Sequence, residues 1–168
     1  MITLEQLLIE EEGFRAQPYL DSAGVWTIGC GTTRINGQPV TSLTPACTQE
    51  EAVSFLTTDL TWVYNVILHN VKVPLTRNQR TALGSLIYNI GGPNFCSSSV
   101  LRCLNLSNYQ MAATHILDWN RAHVDGQLVS VQGLTNRRYR EYNLFNTPDT
   151  PEVPEAPLSG PAVNSAQV

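Results

Sequence analysis

The chain has 168 residues, 42% of them hydrophobic, enough for one domain with a real core and too few for two. No apolar run reaches membrane-spanning length and the N-terminus lacks a basic leader region, so the sequence reads as soluble and untargeted. The net charge of −4 is uneven: residues 147–168 hold Asp149, Glu152 and Glu155 without Lys or Arg, leaving 11 acidic and 10 basic side chains in the first 146 residues, a balance that excludes the basic face of a nucleic-acid binder.

Thr3 with Gln6 reads as a capping box, each side chain satisfying a free backbone N–H at a helix start. Leu4 and Leu8 set a stripe whose next member is Glu12, so this carboxylate follows the buried face, whereas Glu10 and Glu11 need not. Gly13 is expected to close the helix in a left-handed conformation. Three glutamates at a helix C-terminus oppose the exposed carbonyls there by a few tenths to about 1 kcal/mol each. Partial burial and the carbonyl end both favour a protonated carboxyl at Glu12, as a general acid requires. A surface helix end that tolerates its charges is the equal alternative on position alone.

From Phe14 to Val40 the pattern changes to that of a small antiparallel sheet. Ala23-Gly24 is a turn signal, Val25-Trp26-Thr27-Ile28 has strand character, and Asn36-Gly37 is a two-residue hairpin turn. Gly29 and Gly31 either allow a close approach or simply bend the strand. Thr48 with Glu51 then opens a long helix with Val53, Leu56, Leu60, Val63 and Ile67 on one stripe, ending before Pro74. Thr76 with Gln79 opens another, whose broad stripe of Ala82, Leu83, Leu86, Ile87 and Ile90 predicts the central helix of a bundle, stopped by Gly91-Gly92-Pro93.

Short helices are predicted from about Ser98 to Leu104 and, capped by Ser107 with Gln110, through Met111, Ile116 and Leu117 to Trp119. Asp125-Gly126 is a turn, and a last helix from about Thr135 should bury Leu134, Tyr139, Tyr142 and Phe145. Arg137, Arg138 and Arg140 read as a solvated face of that helix. The five prolines of residues 147–168, among small and acidic neighbours, predict a disordered tail after a catalytic domain of residues 1–146. Cys30, Cys47, Cys96 and Cys103 form no Cys-x-x-Cys pair and His69, His115 and His123 stand alone, so no metal or other cofactor is expected. With Cys96 and Cys103 in apolar-periodic segments, buried free thiols are expected rather than disulfides.

The run Glu12-Gly13, Arg15, Tyr19, Asp21, Gly24-Val25-Trp26-Thr27-Ile28-Gly29 and Gly31 resembles the catalytic signature of the phage-type lysozymes, glycoside hydrolase family 24, in which Glu, Asp and Thr are separated by eight and then five residues, as here. The similarity continues through Leu75-Thr76, Gln79-Arg80, Ala82-Leu83, Ser85-Leu86 and Tyr88-Asn89-Ile90-Gly91. It extends to Asn94-Phe95, Ser98, Gly133-Leu134, Arg137-Arg138, Glu141 and Leu144-Phe145, so that it covers about residues 4–146. One departure is Thr32, where family members commonly carry a His expected to pair with the helical lobe.

The resemblance implies an α+β lysozyme-like fold, a small antiparallel β lobe joined by a long helix to a helical lobe. It implies an endolysin, a muramidase that cleaves the β-1,4 bond between N-acetylmuramic acid and N-acetylglucosamine in peptidoglycan. Glu12 would be general acid, Asp21 the base and Thr27 the residue that positions water. Inversion would place the two carboxyl groups about 6.5–9.5 Å apart. Arg137 would hold Glu12. Tyr88, Asn89 and Ser98 would contact substrate, although Tyr88 as plain core and Asn89 as a helix cap are equally open.

The partner implied is the glycan strand, bound by a monomer without nucleic acid or stable membrane insertion. Synthesis in the host cytoplasm and holin-type release to the periplasm would follow. A secreted or virion-associated muramidase, and a binding or phage-structural module of the same fold without turnover, are alternatives; the intact Glu12, Asp21 and Thr27 count against the latter. A Cys30-based hydrolase with a histidine base lacks any local motif.

Overall fold

A computed structural model of the chain describes residues 2–21, 24–124 and 126–149. The first lobe opens with α1 (Leu4–Glu12), capped by the reciprocal Thr3 and Gln6 bonds. Strand β1 (Arg15–Leu20) pairs antiparallel with β2 (Trp26–Gly29), setting Tyr19 opposite Thr27, and the ladder is irregular between Arg15 and Tyr19, where Pro18 has no N–H to offer. A second ladder, β3 (Arg34–Ile35) with β4 (Gln38–Pro39), turns at Asn36 and Gly37, both at positive φ, as a two-residue hairpin demands.

The expected single sheet is therefore two separate two-stranded ladders, linked by one bridge between Ile28 and Thr32. The reason lies at Gly29 and Gly31, whose φ of +65° and +91° turn the chain out of the strand. Close approach matters at both as well. A β-carbon on Gly29 would come 2.9 Å from Ala52 Cβ, and one on Gly31 3.1 Å from the Tyr88 hydroxyl.

Helix α2 (Gln49–Asn70) starts at the Thr48–Glu51 box and buries Ala52, Leu56, Leu60, Val63 and Ile67; at 22 residues it is about 33 Å long. Ala52, not the predicted Val53, heads the stripe, because Gly29 leaves room only for a methyl group. Helix α3 (Arg77–Ile90) is buried continuously from Thr81 to Ile87, the environment of a central helix. It packs against α1 at Gly84, where a β-carbon would meet Leu4 Cδ2 at 2.6 Å.

Around α3 lie α4 (Gly92–Cys96), α5 (Ser99–Asn105), α6 (Tyr109–Ile116) and α7 (Gln132–Asn146), with the hairpin β5 (Arg121–Val124) and β6 (Gln127–Ser130) between the last two. Neither α4 nor this hairpin was expected beyond its turn signals, since five- and four-residue elements carry too little periodicity. Among the described residues no helix is long and apolar enough to cross a membrane.

Four expectations need correction. The cap of α6 is Asn108, whose side chain accepts from Met111 N, while Ser107 sits at φ +60° and Met111 is exposed. Helix α7 begins at Gln132, three residues early, because the Asn120 carbonyl accepts from Val131 N and delivers the chain already turned. Its buried face is largely charged: Phe145 is buried and Tyr142 partly so, as expected, but Tyr139 is exposed and Arg137, Arg138 and Glu141 are buried beside them. The arginine cluster is thus a solvated face only at Arg140. The four thiols are free, but the buried ones are Cys30 and Cys47; Cys96 is exposed and Cys103 half-buried. Residues 150–168, most of the predicted tail, lie outside the described residues; Asp149 accepts from Asn78 N at 2.8 Å.

Candidate active site

Glu12 ends α1, and Gly13 at φ 70°, ψ 173° turns the chain away. This is a positive-φ stop open to glycine, though not the left-handed helical cap expected. The odd cluster of acids at this helix end is explained from across the molecule. Arg137 Nη1 donates to Glu12 Oε1 at 2.6 Å, and Arg140 donates to both oxygens of Glu11, Nε at 2.6 Å and Nη2 at 2.5 Å. Two guanidinium groups of α7 supply the positive charge that a helix C-terminus prefers.

Helix phase alone does not separate the two glutamates, because the Glu11 side chain is the more covered, 3% exposed against 28% for Glu12. What separates them is what each faces. The Glu12 charge acts on the Tyr88 phenol, Cys30 and Tyr19, and its side chain keeps solvent access.

Asp21 and Thr27 are both tied to Val25. The Asp21 Oδ1 accepts from Val25 N at 2.8 Å, Asp21 N donates to Val25 O at 3.0 Å, and the Thr27 hydroxyl donates to the same carbonyl at 3.0 Å. Thr27 is buried by its place in β2, and with its proton committed the hydroxyl oxygen is left as an acceptor. Tyr19, opposite Thr27, senses both carboxylates: burial pushes its phenol up, Arg15 opposes, and Glu12 and Asp21 add to the rise. The Arg15 guanidinium lies 4.3 Å over the Tyr19 ring, a cation–π contact that stiffens the strand beside the acid.

Tyr88 stacks on Trp62 with ring centroids 6.4 Å apart. Burial first, then the nearby Glu12, push its phenol far up, so it remains a hydroxyl donor. Asn89 is exposed near the end of α3, as a surface amide available to a ligand. Ser98 is buried, and its hydroxyl accepts from Leu101 N as the cap of α5. A cavity of about 650 Å³ between α6 and the β5–β6 hairpin, lined by Trp119, Asn120 and Arg121 among others, contains none of these residues.

Sequence reasoning missed the groups behind Arg137. Its Nε donates to Glu141 Oε1 at 3.3 Å and its Nη2 to the Ser85 carbonyl at 3.3 Å. Glu141, fully buried, also accepts from Ser85 Oγ at 2.7 Å and Arg138 Nη2 at 2.9 Å. The signal was present as Arg137-Arg138 followed by Glu141, spacings of three and four that share a helix face, but an apolar stripe was sought there instead.

The sequence pattern of the phage lysozyme family matches residues 9–141. The chain is 45% identical to the endolysin of Salmonella phage P22 over 135 residues, 80% of this chain and 88% of that protein. It is 31% identical to the SAR-endolysin of Pseudomonas phage phiKMV over 80% of each. The solved endolysin from Escherichia coli O157:H7 phage FAHEc1 superimposes with a TM-score of 0.81 at 34% identity, covering 85% of this chain and 90% of that one. Agreement of pattern, sequence and fold over the segment that carries Glu12, Asp21, Thr27 and Arg137 means that the chain belongs to the phage lysozyme family.

Proposed function

We propose that this muramidase cleaves the β-1,4 bond between N-acetylmuramic acid and N-acetylglucosamine with Glu12 as general acid and Asp21 as general base. Glycoside hydrolysis needs a proton on the leaving oxygen and a nucleophile for an oxocarbenium-like centre. Glu12 delivers the proton from the end of α1, its carboxyl aimed by Arg137. Asp21, anchored on Val25, takes a proton from water as that water attacks, and the Thr27 oxygen orients the water; the product anomer is inverted. Tyr88 and Asn89 contact the sugars from the end of α3, and Ser98 shapes the segment after the Gly-Gly-Pro turn through its cap. The observation that carries this reading is the pairing of a partly exposed Glu12 with a buried Arg137 at 2.6 Å.

The protein acts as a monomeric domain of residues 1–146 on periplasmic peptidoglycan after synthesis in the host cytoplasm and holin-type release, causing host lysis. The test is lysis of purified peptidoglycan by Glu12→Gln and Asp21→Asn. Each should lose at least about 100-fold in rate, the lower end of what general acid–base groups supply, with thermal unfolding unchanged in Asp21→Asn and circular dichroism showing a folded protein in Glu12→Gln, which loses the Arg137 ion pair. Near-normal lysis by either variant removes that residue from its role, and NMR of the first-formed product anomer reports inversion.

A further inference from the structure

Four charged side chains form one continuous chain that runs from the partly exposed Glu12 into the interior behind the site. Glu12 meets Arg137 Nη1 at 2.6 Å, Arg137 Nε meets Glu141 Oε1 at 3.3 Å, and Glu141 meets Arg138 through Nη2 at 2.9 Å. Arg138 Nε also lies 2.8 Å from Glu141 Oε2, close enough for charge pairing although its angle does not complete a hydrogen bond. Glu141 is 0% exposed and Arg138 0%, with Arg137 at 5%, so water screens these charges little.

We infer that Glu141 is a positioning residue that sets how strongly Arg137 acts on Glu12: it holds the guanidinium in place and cancels the excess positive charge of the Arg137–Arg138 pair. The inference rests on the reading of Glu12 as general acid.

Two features favour a carboxylate at Glu141. Every group bonded to its oxygens is a donor, including the Ser85 hydroxyl, which accepts from Arg137 Nη2 at 3.4 Å and gives its own proton to Glu141. A neutral acid would leave two buried guanidinium groups sharing only Glu12, an expensive arrangement. Burial raises the Glu141 titration, and Arg138, Ser85 and Arg137 work against it; the donor set decides for the ionised form.

Of the other groups near Glu12, Asp21 and Arg15, which act with it on Tyr19, keep their charges in every variant considered below, and the phenols and the thiol carry none near neutrality. Tyr19 on β1, Cys30 after β2 and Tyr88 on α3 are all pushed upward, first by burial. Asp59 on α2 adds its charge at Tyr88 and is likewise unchanged between variants. Glu11 and Arg140, which also reach Arg138 and Glu141, neutralise one another. Because those groups stay the same, the difference at Glu12 between variants is set by Arg137, Arg138 and Glu141.

The signs follow. Glu141→Gln removes one negative charge, so two cations act on Glu12 and it releases its proton more readily. Arg138→Met removes one positive charge and does the reverse. The experiment is the pH–rate profile of kcat on purified peptidoglycan for Glu141→Gln, Arg138→Met and the double variant, with Glu12→Gln as control. The alkaline limb should move to lower pH in Glu141→Gln and to higher pH in Arg138→Met, by about half a unit or more for a unit charge poorly screened by water. It should return close to the parent position in the double variant, while KM changes less than kcat.

Because Glu141→Gln could fold poorly, a carboxyl-carbon NMR titration of Glu12 in Arg138→Met and in the double variant reads the same shifts without activity. Limbs that stay in place, or move the same way in both single variants, overturn the tuning role and leave a structural brace. An active Glu12→Gln instead overturns the acid assignment itself.

Discussion

At Thr32 the chain replaces the histidine expected from its family resemblance, and the consequence falls on Asp59 of α2. Thr32 is fully buried, and its hydroxyl faces Asp59 without completing a hydrogen bond of good geometry. Burial raises the Asp59 titration and the Thr32 hydroxyl only partly opposes it. A carboxyl raised in the folded state contributes stability that is complete below its unfolded value and is lost as pH rises through the folded one. Asp59→Asn should therefore raise Tm at pH 7, by on the order of 1–2 °C once the group's partial exposure is allowed for. The gain should vanish as pH is lowered toward about 4. Melting curves across that range decide it, and a gain that grows on acidification contradicts the assignment. The residues most readable in the sequence were those whose chemistry is local, such as Thr3 or Thr48. Thr32 announces a departure, but not which carboxylate is left facing it.

Among the elements, helix starts with an oxygen-bearing cap and a Glu or Gln three residues on were legible: Thr3, Thr48 and Thr76 all close their boxes. The failures are as physical. At α6 two adjacent residues could cap, and the one in the left-handed region, Ser107, is excluded by its backbone while Asn108 bonds Met111 N at 3.1 Å. Asn108→Ala should cost about 1 kcal/mol, or roughly 3 °C in Tm. Ser107→Gly should cost nothing and raise Tm slightly, since glycine adopts positive φ freely. The reverse ordering in denaturant titrations would return the cap to Ser107. Helix α7 has no side-chain cap at Val131; its start is imposed by the β5–β6 hairpin, so no local residue advertises it.

For the molecule as a whole, burial sorts groups that look alike along the chain. Cys30 and Cys47 lie in the core beside β2 and α2, whereas Cys96 is exposed at the end of α4. With burial pushing the Cys30 and Cys47 thiols up, a thiol reagent at pH 8 should modify Cys96 quickly and Cys103 more slowly. The other two should react only at the rate of opening of the fold, and mass spectrometry of quenched samples separates the classes. Rapid native labelling of Cys30 would show that the lobe around Gly29 opens independently. By itself the sequence determined the helices with boxes, the hairpin at Asn36-Gly37, the family and the candidates Glu12, Asp21 and Thr27, because each depends on neighbours within a turn or on a spacing. Only the tertiary structure decided which arginines are buried, that Glu11 is more covered than Glu12, and that Ser85, Arg138 and Glu141 stand behind the acid. The physical reason is distance along the chain: Arg137 and Glu12 are separated by 125 positions. A charge is affordable inside the protein only where folding brings its counter-charge to it.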